Sequence, residues 1–143
     1  CSMSDIERYR ARLSGPLADR IDLHVRLHAV AIAALGSATT EERSASIRGR
    51  VETARERQNA RYASLDGVRL NAEAPGRWLL TNGSVDAQAL ATLESAAQRL
   101  GLSARGYHRT LRVARTIADL DGVDHVSAAF VGEALRYRPA TLV

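Results

Sequence analysis

SARGYHRTLRVARTIADLDG, Ser103 to Gly122, carries the period that decides the fold class. With about 100° between successive helical residues, Tyr107, Leu111, Ala114, Ile117 and Ala118 fall on one arc, and Arg105, His108, Arg109, Arg112 and Arg115 lie opposite. The spacing predicts an amphipathic helix that starts at Ser103, a good N-cap, runs to about Leu120 and is closed by Asp121-Gly122. Arg105 is out of place in it. In the first turn the unsatisfied N–H groups and the helix dipole already concentrate positive charge, and a cation there is disfavoured by roughly 0.3–1 kcal/mol. An anion at that helix start reverses the sign, and Gly106 beside Arg105 leaves room for close approach. The alternative is that Arg105 is solvated or paired with a carboxylate such as Asp119 or Glu94.

Outward from this helix, Leu90, Leu93, Ala97 and Leu100 mark one face of a helix from about Val85 to Leu100, with Gly101 as its C-cap. Ser127 caps a last helix holding Phe130, Val131, Ala134 and Leu135, which Pro139 prevents from continuing. Short connections make consecutive helices antiparallel neighbours, so residues 84–138 read as a small helical bundle. Before it, Gly67, Pro75 and Gly76 punctuate an expected linker from about Ala63 to Gly83, anchored to the core by Trp78, Leu79 and Leu80. From about Thr39 to Tyr62 the pattern is helical again, beginning with a Thr39/Glu42 capping box or at Ser44. Its apolar stripe of Ile47, Val51 and Ala54 is narrow. Arg48, Arg50, Arg55, Arg57 and Arg61 alternate with Glu52 and Glu56, so the helix is expected to project or to pack along one side only. Those arginines suit either a phosphate backbone or an ordinary solvated face.

The N-terminal part differs in period. Cys1 to Leu13 suggests a short helix stopped by Gly15-Pro16, and residues 21–30 alternate as a strand: Ile21, Leu23 and Val25 apolar, Asp22 and His24 polar. A lone strand cannot satisfy its own edges. Its partners are expected in a second copy or in upstream sequence, and the second option makes the chain a C-terminal fragment. Just ahead of the strand stands Asp19-Arg20, either a local ion pair or a guanidinium aimed outward.

Composition narrows the function classes. All 20 basic residues of the 143 are arginine, the net charge is +4 and the pI is about 10.0. A Walker A loop places a lysine on the phosphates, so a chain without lysine holds no conventional one. The basic balance suits nucleic acid or nucleotide phosphates as partners. No apolar run approaches the roughly 18 to 20 residues of a membrane span, and a cytoplasmic location without membrane attachment is expected. Cys1, the single cysteine, excludes an internal disulfide framework. His24 and His28 share a strand face but have no third ligand nearby, so no metal site is expected. Trp78 and the tyrosines are expected as core anchors rather than base-stacking platforms.

Taken together, YRARLSGPLADRIDLHV, RVETARERQ, LNAEAPG, LGLSARGYHRTLRVARTIADLDG and VGEALRYR resemble, in this order and over nearly the whole chain, the C-terminal part of magnesium-chelatase-like AAA+ ATPases, specifically the ComM-type competence proteins. The resemblance implies a mainly α fold: residues 1–30 as the end of an α/β AAA+ core contributing one strand, 31–83 as a connecting, projecting helix and linker, and 84–143 as the helical lid bundle. It matches Arg20 of PLADRID to an arginine finger, which in a ring reaches the γ-phosphate held by the neighbouring subunit. It matches Arg105 of LSARGYH to the sensor 2 arginine, a nucleotide-binding cation of the lid acting in its own subunit or across the interface. For the full-length parent it implies ATP and Mg2+ as cofactors, a homo-oligomeric, hexameric ring, and DNA as partner, with helicase or branch-migration activity in transformation. Walker A and B segments are absent, so these residues alone are not expected to turn over ATP. Ala18 stands where the family commonly has leucine, and Cys1 corresponds to the last member of a cysteine cluster in many relatives. Two alternatives stay open: a non-ATPase helical DNA-binding module in which the 103–120 helix reads DNA directly, and a magnesium chelatase ATPase subunit of tetrapyrrole synthesis.

Overall fold

The computed structural model describes residues 2–5, 8, 20–27, 29, 32 and 42–138. From residue 42 onward, helices follow at the positions their caps and periods dictate: α1 (Ser44–Arg61), α2 (Gly76–Asn82), α3 (Ala87–Leu100), α4 (Ala104–Leu120) and α5 (Ala128–Arg136). The protein is mainly helical, and α4 is packed against all four of the others. Leu111, Ala114 and Ala118 of α4 are fully buried with Leu79 of α2, Ala89 and Leu93 of α3, and Val131 and Ala134 of α5. Tyr107 and Ile117 pack against this core from its margin, as the α4 arc predicts.

Local chemistry sets the boundaries. Ser103 accepts a hydrogen bond at Oγ from the Gly106 N–H (3.0 Å) and so satisfies one of the orphan donors of the α4 start. α3 ends where Gly101 adopts the left-handed conformation (φ 60°), letting the Leu102 N–H reach the Ala97 carbonyl (2.9 Å). Ser127 is the N-cap residue of α5, without a side-chain capping bond. A parallel bridge between Val85 and Val126 ties the entries of α3 and α5 together. On α3, Leu100 departs from expectation: it is 59% exposed.

Two expectations change. The expected linker from Ala63 to Gly83 contains helix α2, introduced by Pro75 and running over Gly76–Asn82. Gly-Pro punctuation masks so short a helix. Gly76 is required for packing rather than flexibility, since a Cβ there would lie 2.2 Å from Nδ1 of His108. The anchor itself holds: Leu79 is fully buried, Trp78 and Leu80 are partly so, and Trp78 lies against Tyr62 with ring centroids 5.2 Å apart. The second change concerns residues 21–30. The described residues 20–27 and 29 form no sheet ladder. Without strands beside it an alternating segment has no ladder to join. Instead the His24 N–H donates to the Tyr137 carbonyl (2.8 Å), laying the segment against the end of α5. Its apolar side chains remain exposed: Leu23 by 51%, Val25 by 67% and Leu27 by 88%.

α1 is largely exposed along its 18 residues, burying Ala54 and Gln58. It begins at Ser44, the alternative start. Thr39 lies outside the described residues, and Glu42 accepts hydrogen bonds from Ser46 Oγ (3.0 Å) and Arg50 Nη2 (2.8 Å). Cys1, His28, Pro139 and most of the expected first helix likewise lie outside the described residues.

Candidate nucleotide-facing site on helix α4

The arginines of α4 have separate fates. Arg115, expected on the solvated cationic side, is 1% exposed. It stands one turn beyond Leu111, only about 40° around the helix from that buried residue. Its guanidinium donates to the carbonyls of Asp124 (2.7 Å), Val123 (2.6 Å) and Gly83 (3.3 Å). It also pairs with Asp119 at 3.1 Å. Burial pulls this guanidinium down from its ordinary value, opposed by the Asp119 carboxylate.

Asp119 is the centre of a buried polar cluster. It accepts two hydrogen bonds from Arg61 of α1, one through each carboxylate oxygen, and a third from Asn71 Nδ2 (2.8 Å). Asn71 in turn accepts from the Tyr62 hydroxyl (2.7 Å) and donates its backbone N–H to Gln58 (2.9 Å). A buried carboxylate satisfied on both oxygens by cations and an amide is a structural device. It joins α1, the Asn71 turn and α4.

Farther along α4, Arg112 Nε donates to the Ala74 carbonyl (3.0 Å) and Arg109 pairs through Nε with Asp22 at 2.6 Å. That leaves the first turn. It contains no acidic residue, and Arg105 is exposed there. Neither carboxylate suggested as its partner is engaged with it: Asp119 is held by Arg61, Arg115 and Asn71, and Arg105 makes no ion pair with Glu94. His108, one turn on, is partly buried, with Nδ1 against Gly76 and no hydrogen-bond partner.

Arg20 is also exposed, in a turn, and makes no ion pair with any described residue; Asp19 lies outside the described residues. Arg20 and Arg105 are thus both side chains turned toward solvent. The Asp22–Arg109 pair, two residues after Arg20 and one turn after Arg105, is one that sequence reasoning missed. The signal available was a carboxylate two residues after Arg20, in a segment otherwise apolar at alternate positions. No group of three or more potential metal ligands occurs among the described residues, and none of their helices is long and apolar enough to cross a membrane.

The family comparison follows the same division of the chain. The family described as magnesium chelatase, subunit ChlI C-terminal, matches residues 41–138, and that described as magnesium chelatase, subunit ChlI, matches residues 1–35. The competence protein ComM of Haemophilus influenzae is 39% identical over 138 residues, 96% of this chain. An uncharacterized protein of Mycobacterium tuberculosis is 40% identical over 134 residues, 90% of the chain, and the uncharacterized protein YifB of Escherichia coli is 35% identical over 139 residues, 96% of it. The chain spans 26% of the length of each of these relatives. The helical body built around α4, with α1 fastened to it through Asp119, is what the C-terminal family covers, and the chain belongs to the magnesium chelatase ChlI-type family.

Proposed function

We propose that this chain is the C-terminal part of a ring-forming AAA+ ATPase that acts on DNA in the manner of ComM-type competence proteins, with Arg20 as the arginine finger offered to a neighbouring subunit and Arg105 as the sensor 2 cation of the lid. The observation that carries the reading is Arg105: an exposed cation in the first turn of α4, where the dipole disfavours it and no described carboxylate compensates it. A polyphosphate at that end would receive both the guanidinium and the free backbone N–H groups of the turn. ATP and Mg2+ would be held mainly by a phosphate cradle outside these residues, since this chain has no lysine for one. Arg20 and Arg105 suit the part left to this chain, which is to neutralise charge as the γ-phosphoryl group is transferred to water.

The direct DNA-reading module is disfavoured by packing. A recognition helix needs a free face along its length. α4 is instead the central helix, with Arg109, Arg112 and Arg115 all engaged by protein oxygens.

The test uses the full-length protein. Arg20→Ala should lower ATP turnover by about 10³-fold, the scale of arginine-finger losses. Doping that variant into wild-type rings should poison neighbouring sites, as a finger working across the interface requires. Arg105→Ala should weaken nucleotide binding as well as turnover. Unchanged turnover in Arg20→Ala would end the finger assignment, and unchanged affinity and turnover in Arg105→Ala would end that of sensor 2. Stimulation of the ATPase by DNA supports the ComM-type reading; stimulation by a porphyrin instead would favour the tetrapyrrole-chelatase alternative.

A further inference from the structure

We infer that Asp22 and Arg109 are positioning residues that lock the Arg20 segment to the Arg105 helix, so that the guanidinium offered to a neighbouring subunit and the cation of the lid move as one body. The inference rests on the nucleotide-facing reading of Arg20 and Arg105 and adds a mechanical link between them.

The geometry is short at every step. Asp22 follows Arg20 by two residues, so at most about 7 Å of chain separates their Cα atoms. Asp22 Oδ1 meets Arg109 Nε at 2.6 Å. Arg109 lies one helical turn after Arg105 and on the same face, a rise of roughly 6 Å along α4. The ion pair therefore sits within one turn or two residues of both candidate cations. A second tether lies two residues further on, where the His24 N–H donates to the Tyr137 carbonyl at the end of α5 (2.8 Å). Two attachments to adjacent helices fix orientation as well as position. Arg109 has only 12% of its side chain exposed, so it offers Asp22 a fixed target rather than a mobile surface cation. The Asp22 side chain is 56% exposed. Removing its charge therefore loosens the segment without opening the helical core.

A nucleotide that draws Arg105 toward it would carry α4 and, through Asp22, shift Arg20 at the other interface of the same subunit. Such a link couples neighbouring sites without a contact between the two nucleotides.

A charge-swap cycle in the full-length protein tests this, with ATP turnover and amide hydrogen exchange of residues 20–27 as readouts. Asp22→Arg and Arg109→Asp should each raise exchange in the segment by about tenfold and lower kcat by roughly tenfold, on the scale expected for small misplacements of catalytic groups. KM for ATP and the unfolding midpoint of the helical body should change little. The double swap should restore both exchange and kcat to within about threefold of wild type. Single reversals without effect on exchange, or a loss of turnover that the double swap does not recover, would overturn the inference. Turnover indifferent to Arg20→Ala and Arg105→Ala would remove the nucleotide reading and with it the coupling, while the exchange data would still report whether the pair holds the segment.

Discussion

The two ends of helix α4 use the same residue type for opposite purposes. At the C-terminal end Arg115 is enclosed, its guanidinium spread over three carbonyls and the Asp119 carboxylate, which also receives Arg61 and Asn71. At the N-terminal end Arg105 is exposed in a turn with no acidic residue. The contrast teaches that an arginine's role is set by what faces it. Where protein oxygens meet the cation it fastens helices together; where only a helix dipole of the same sign meets it, the cation is left facing out.

The contrast breaks most sharply at Asp119. Asp119→Ala should destabilise the chain by about 3–5 kcal/mol in denaturant unfolding, because Arg115 would be left buried without its counter-charge. An unfolding midpoint close to wild type would mean that the cluster is not what joins α1 to α4. Tyr62→Phe probes the rim of the same cluster. It should cost about 1 kcal/mol through the hydrogen bond lost at Asn71 Oδ1. Tyr62 also predicts a pH dependence. Burial pushes its phenol above the ordinary value of 10.0, with the Arg61 cation pulling the other way. The folded state therefore holds this proton more tightly than the unfolded chain does. The resulting stability is fully present below about pH 10 and is lost as the pH climbs through the raised folded value. Unfolding followed across the alkaline limb should show this loss in the wild type and a shallower one in Tyr62→Phe.

At the other end of α4 the effects are smaller. Ser103→Ala should cost about 1 kcal/mol by uncapping Gly106. Arg105→Ala should be neutral or stabilising, by up to about 0.3–1 kcal/mol at low salt and less as salt rises. Clear destabilisation by Arg105→Ala in the isolated chain would show that protein groups compensate this cation, and would erase the distinction between the two ends.

Much of the helical body was legible because its signals are local. The α4 arc of Leu111, Ala114 and Ala118, the Ser103 cap and the left-handed Gly101 each follow from a few consecutive residues. Helix α2 was not legible, because seven residues that open on Gly76 directly after Pro75 and stop at Gly83 give too little period to read. Arg115 was misplaced for a different reason. Assigning it by type to the charged side overrode an angle that puts it beside Leu111 and a carboxylate, Asp119, one turn further along the same helix, and the carbonyls of Gly83, Val123 and Asp124 that accept its hydrogen bonds gather only when the turns after α2 and α4 fold against it. The strand expected at 21–30 was read from alternation alone, and alternation reports which side chains share a face, not whether a ladder is present.

By itself the sequence determined the periods, the caps, the absence of lysine and the places of Arg20 and Arg105, since these depend on neighbours within a turn or two of chain. Only the tertiary structure decided which arginines are already spoken for. Arg61 reaches Asp119 across 58 residues, and Arg109 finds Asp22 on a segment far from it in sequence. The physical reason is that a helix period fixes the direction of a side chain but not the identity of the group that arrives opposite it. That second group determines whether the charge is neutralised inside the protein or left facing out.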